Sequence, residues 1–138
     1  MSYLLVKSEI NQSSAQLLQS NKKHCSAAHS AYYSCVQLMK HYLLTMGQDD
    51  SSIDAHKKTL SKSSGRQIGT HECVIFMVKD HIRAKKGYEF VRDFGTDINT
   101  LKSFRVDSDY KNEEFEPKKG HESVTLCIRI NKFIQNIL

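Results

Sequence analysis

Tryptophan is absent from this chain, and proline occurs once, at Pro117. Proline interrupts helix interiors, so the long proline-free stretch before it leaves room for long helices. No apolar run approaches the roughly 18 residues that a membrane-spanning helix needs. The start, MSYLLVKSEINQSS, has no basic segment followed by a long apolar one. A secretory leader is therefore not expected, and the cytoplasm is the expected compartment. No pair of cysteines has CxxC spacing; Cys25, Cys35, Cys73 and Cys127 each fall among helix-like apolar residues. They read as reduced thiols packed as small hydrophobes. His24, Cys25, His71 and Cys73 match no standard zinc spacing. The chain also lacks a glycine-rich phosphate loop, a carboxylate pair at a defined spacing, and a serine or cysteine nucleophile motif. No cofactor is expected.

What is present is ordinary for a globular domain: 39% hydrophobic and 25% charged residues in 138. One domain over residues 1–138 is expected, with room for a real core. The net charge of +5 permits a phosphate-rich partner without requiring one.

Turn signals cut the chain into helical segments. The first runs from about Tyr3 to Ser20, with Val6, Ile10, Leu17 and Leu18 as its apolar stripe. The second is the clearest. Ala28, Ala31, Tyr32, Cys35, Leu38, Met39, Tyr42, Leu43 and Met46 recur in steps of three and four, and Gly47 follows as a C-terminal cap. Residues 48–69 are polar and Ser-rich, so a long loop with at most one helical turn is expected. Thr70 is the expected N-cap of the third helix, whose stripe is Val74, Met77, Val78, His81 and Ile82. The fourth runs from about Glu89 to Asp109 on Val91, Phe94, Ile98 and Leu101, and Gly95 suggests a start nearer Thr96. The fifth opens at Pro117 and carries Val124, Cys127, Ile130 or Ile128, Ile134 and Ile137. The fold class expected is all-α, an up-and-down bundle of four to five helices.

Four strings stand in a suggestive order: AAHSAYYSCVQLMKHYL, GRQIGTHECVIFMV, LKSFRVDSDY and EEFEPKKGHESVTLCIRINKFI. Together they resemble the HEPN family, all-helical domains named for higher eukaryotes and prokaryotes nucleotide-binding. The likeness runs from about Ala15 to Ile134. It implies a HEPN-like bundle that often forms a homodimer. Many members of the family are metal-independent ribonucleases, marked by an arginine and, four to six residues on, a histidine near the end of the penultimate long helix. Others lack the histidine and serve as partners of a minimal nucleotidyltransferase or as nucleotide-binding modules. Arg105 matches the arginine, but residues 110–112 are Tyr-Lys-Asn, so Tyr110 stands where the histidine would be. Imidazole accepts protons near neutral pH, whereas tyrosine ordinarily ionises near pH 10. The resemblance therefore favours a non-catalytic, dimeric module that binds a partner protein, a nucleotide or RNA. A nucleotidyltransferase is the partner that family analogy suggests. The alternative is a metal-independent ribonuclease, a toxin or defence effector, using Arg105, Asp109 and Tyr110.

The residues allow several roles for Arg105. It continues the stripe of Leu101 and Ile98, so its stem points inward or toward a partner, and a buried guanidinium must be paired. Asp109 lies one helical step of four away. A structural strut is the preferred reading, ahead of a phosphate-binding or catalytic arginine. Tyr32 and Tyr33 are candidates to close the site from the second helix. Arg66 and His71 repeat the arginine–histidine spacing at the entry to the third helix, where local packing is the expected role. Lys57, Lys58, Lys118 and Lys119 would hold a nucleic-acid backbone only if they met on one face.

Overall fold

The computed structural model describes residues 3–137, and they fold into helices and short connections. The helices are α1 (Tyr3–Ser20), α2 (His24–Thr45), α3 (Asp50–Ser64), α4 (Thr70–Lys86), α5 (Tyr88–Tyr110) and α6 (Pro117–Ile137). The all-α bundle expected from the sequence is what forms, with one helix more than the expected four to five. Helix α2 is its centre and packs on α1, α4, α5 and α6. Its stripe from Ala28 to Leu43 is buried as the periodicity requires, whereas Met46 is exposed. The helix stops at a Schellman-type end. Gly47 takes a φ of 89°, its N–H donates to the Leu44 carbonyl, and the Gln48 N–H donates to that of Leu43.

Helix α3 is the extra one, and it occupies the segment expected to be a loop. Its apolar content is too low for a stripe, so its ends hold it instead. The Asp49 carboxylate accepts from the Ser52 N–H at 2.8 Å, and the Ser52 hydroxyl accepts from the Asp49 N–H at 2.8 Å. This capping box starts the helix, and Gly65 in the left-handed region ends it. Ile53 is its one buried residue, and α3 packs on α4 alone. Asp49→Ala is expected to cost about 1 kcal/mol locally. Backbone amides of α3 would exchange faster while the melting temperature of the bundle hardly moves. Unchanged exchange would show that Ile53 suffices to hold the helix.

Helix α1 corrects a second expectation. Val6, Ile10 and Leu17 are 41%, 59% and 64% exposed; Ser8 and Ala15 are the buried residues of α1, and Leu5 packs partly buried against the core. Small side chains let α1 approach α2 closely, and hydrogen bonds supplement the apolar contacts of Ala15 and Leu5. The Ser8 hydroxyl donates to the Ser34 carbonyl at 2.7 Å, and the Ser34 hydroxyl donates to the Ser8 carbonyl at 2.7 Å. Asn131 of α6 joins them, its amide donating to the Ser34 hydroxyl at 2.9 Å and to Gln12 at 2.8 Å. Apolar periodicity cannot register a face built this way.

The remaining differences are small. Gly69 rather than Thr70 is the N-cap of α4. Helix α5 begins at Tyr88, and Gly95 sits in its interior, where a Cβ would come within 3.2 Å of the Lys79 side chain. Ile130 faces the core of α6, and Ile128 is largely outside it. Cys35, Cys73 and Cys127 are buried, Cys25 is exposed, and all four are free. Gly87, with a φ of 96°, is the single residue between α4 and α5. That short link reverses the chain, so the start of α4 and the end of α5 lie at the same end of the bundle.

Candidate functional site

Three helices meet at that end. Helix α2 brings His29, Tyr32 and Tyr33, which share one face because their spacings are three and four. The first turn of α4 brings His71. The last turns of α5 bring Lys102, Arg105 and Asp109, again at steps of three and four. Arg105 is the hub. Its guanidinium carbon lies 5.0 Å from the centre of the Tyr32 ring and 5.8 Å from that of Tyr33. One of its terminal nitrogens is 3.5 Å from the Asp109 carboxylate. The Arg105 side chain is only 14% exposed. Burial disfavours its charge, but Tyr33, Tyr32 and Asp109 more than compensate.

Asp109 has a second partner. His29 Nδ1 is 3.2 Å and 3.1 Å from its two oxygens. A carboxylate only accepts, so Nδ1 carries the hydrogen and Nε2 is left for another contact. The Tyr33 ring lies between two imidazoles, with centroids 4.6 Å from His29 and 5.3 Å from His71. His71 also touches Tyr32, at 6.0 Å between ring centres. Burial, with the charges of Arg105 and Lys102, holds the His71 imidazole below its ordinary value and keeps it neutral. Burial pushes the Tyr32 phenol up, against the pull of Arg105. The Tyr32 phenol and the Arg105 guanidinium lie side by side in this cluster, and a side-chain hydrogen bond from Arg105 is part of what pulls the phenol down. A phenol oxygen accepts as well as donates, so the two groups can satisfy each other.

The candidates named from the sequence divide clearly. Arg105, Asp109, Tyr32, Tyr33 and His71 come together. Tyr110 is 76% exposed, and it influences Arg105 less than Tyr33, Tyr32 or Asp109 does. It does not close the cluster. Arg66 is separated from His71 in role: it makes two hydrogen bonds to the Glu72 carboxylate, and its own charge lies in solvent. Three of the four lysines lie beside carboxylates. Lys57 pairs with Asp54 at 3.7 Å, Lys118 with Glu122 at 3.9 Å and Lys119 with Asp107 at 3.9 Å. Lys58 is exposed on α3. Sequence reasoning missed His29. Its one signal was its place three and four residues before Tyr32 and Tyr33. Its partner Asp109 lies 80 positions along the chain. Among the described residues, no group of three or more His, Cys, Asp or Glu side chains is placed to hold a metal ion.

The neutral state of His71 has a consequence for stability. Its folded pKa is depressed, so between that value and about 6.5 the unfolded chain binds a proton that the folded chain refuses. Stability contributed by this group is therefore whole above about pH 6.5 and falls as the pH drops below it. The loss in melting temperature between about pH 7.5 and pH 5.5 is expected to be smaller in His71→Gln than in the wild type. Equal losses in the two proteins would exclude this role.

Comparison with protein-family models, with curated proteins and with solved structures gives no match for this chain.

Proposed function

We propose that the cluster is the active site of a metal-independent ribonuclease built on a HEPN-like bundle. One observation carries the reading: two histidines, one of them held by a carboxylate, converge on a nearly enclosed arginine. The sequence resemblance argued against catalysis because Arg105 lacks its following histidine. His29 and His71 supply from other helices the groups missing from α5.

Cleavage of RNA without a metal needs three parts. A base removes the 2′-hydroxyl proton, a cation stabilises the charge that builds on phosphorus, and an acid protonates the departing 5′-oxygen. His71, kept neutral by its surroundings, suits the base. Arg105 suits the cation, because its planar fork matches two phosphate oxygens. His29 suits the acid, since Asp109 fixes its Nδ1–H and Nε2 is left to carry the transferred proton. The 2′-oxygen then bonds to phosphorus as the bond to the 5′-oxygen breaks. The products are a 2′,3′-cyclic phosphate and a 5′-hydroxyl.

A second reading has its own support. Arg105 is 14% exposed and lies against two tyrosine rings, as a strut would. On that reading the module binds RNA, a nucleotide or a nucleotidyltransferase partner without cleaving. Incubating labelled RNA with the purified protein in EDTA separates the two. Products ending in cyclic phosphate support the ribonuclease, and intact RNA with retained binding supports the binding module.

A further inference from the structure

The seam between α4 and α5 carries a row of cations that leads away from the Arg105 cluster. The two helices run antiparallel. His71 of α4 lies at the Arg105 end, and Lys79 lies beside Gly95 of α5. A Cβ at Gly95 would stand 3.2 Å from Lys79 Cε and 3.4 Å from Nζ, so the ammonium lies over bare backbone. Glycine is unfavourable inside a helix, and here its missing side chain gives Lys79 room. Gly95, Ile98, Lys102 and Arg105 follow one another on α5 in steps of three and four, along one face. Lys102 therefore stands between Arg105 and Lys79. Its charge acts on both His71 and Lys79.

Lys79 and Lys102 are partly buried, and neither forms an ion pair or a side-chain hydrogen bond among the described residues. Burial, with the charges of Arg83 and Lys102, holds the Lys79 ammonium below its ordinary value. An ammonium drawn partly out of water beside like charges lacks a counterion. Glu72 and Asp80 of α4 do not supply it. Glu72 is held by Arg66, and Asp80 pairs with Arg83 at 3.2 Å.

Resting on the ribonuclease reading, we propose that this seam holds the RNA strand on the 5′ side of the cleaved bond, with backbone phosphates at Lys102 and then Lys79. The direction follows from the order of groups along α5. His29, the acid for the departing 5′-oxygen, is held by Asp109, beyond Arg105 on the side away from Lys102. His71, the base, acts on the 2′-hydroxyl of the nucleotide 5′ of the bond. It opens the helix that leads to Lys79. From His71 to Lys79 is about 12 Å of helix, more than one phosphate can span. The row continues from the arginine that takes the scissile phosphate, so the strand that brings that phosphate also brings the next ones.

Binding of uncleavable 2′-O-methyl oligouridylates, two to eight nucleotides long, tests the seam at several salt concentrations. Affinity is expected to rise with length beyond the dinucleotide. Lys79→Gln is expected to weaken the longer oligomers several-fold and to flatten the slope of log Kd against log salt by about 0.7, with helicity unchanged. Lys102→Gln decides the matter if that variant misfolds. Affinity that does not grow with length, slopes unchanged in both variants, or an oligoglutamate of equal charge that binds as tightly would overturn the proposal. Cleavage of oligomers with a single ribose tests the direction. Two further nucleotides on the 5′ side are expected to raise kcat/KM about tenfold, and Lys79→Gln to remove that gain. Cleavage that gains from 3′ extension instead, or from neither, would overturn this inference alone. Absence of cleavage in every oligomer would overturn the ribonuclease reading, and binding alone then judges the seam.

Discussion

His71→Ala is expected to slow RNA cleavage by about 10²–10⁴-fold, the usual worth of one positioned proton-transfer group. The residue is partly exposed and forms no ion pair among the described residues, so the variant is expected to keep its helicity and its affinity for RNA. The rate constant carries the loss, because a base acts in the transition state more than in binding. Arg105→Ala is a less clean test. It removes the cation and also the group that Asp109, Tyr32 and Tyr33 pack against. A folded His71→Ala protein therefore reports on chemistry, whereas Arg105→Ala mixes chemistry with stability. The wild-type pH profile gives an independent check. His71 is held below its ordinary value, so the acid limb of cleavage is expected below about pH 6.5. The limb is expected to disappear in His71→Ala. Wild-type RNA left intact, or cleavage undiminished in His71→Ala, would remove the base from the proposed mechanism.

Leu101→Ala is expected to lower the unfolding free energy by about 3–4 kcal/mol, and Leu17→Ala by less than about 0.5 kcal/mol. Leu101 is fully buried, one helical turn before Arg105. Its removal leaves a cavity in the layer that supports the cluster. The loss is a large part of the roughly 5–15 kcal/mol that holds such a domain together. Leu17 reads much the same in the sequence, an apolar residue at a helical step. It is 64% exposed, so little is lost on truncation. Urea denaturation of both variants measures the contrast. Equal losses would mean that Leu17 is covered in the protein as it stands in solution, and in that case the midpoint would depend on protein concentration.

Burial on α2, α5 and α6 was legible from the sequence because these helices follow the simplest rule. Tyr32, Cys35, Leu38, Met39 and Tyr42 recur at the helical period, and all are buried. The same holds for Val91, Phe94, Ile98 and Leu101 on α5. Helix α1 breaks the rule because hydrogen bonds among Ser8, Ser34 and Asn131 take much of its inner face, beside Ala15 and Leu5. Helix α3 escaped it because Asp49, Ser52 and Gly65 fix a helix by its ends, with Ile53 buried and Leu60 partly buried against the core.

The site divides along the same line. Arg105 and Asp109 are four residues apart on one helix, so their pairing follows from the local geometry of α5. Tyr32 and Tyr33 share a face with His29 for the same reason. Those relations are local, and the sequence alone determined them, together with the all-α class. Long-range placement is different, since it depends on which helix ends meet. The single-residue turn at Gly87 sets the start of α4 beside the end of α5, and α2 packs against both. Only that packing turned two histidines with no motif between them into neighbours of one arginine.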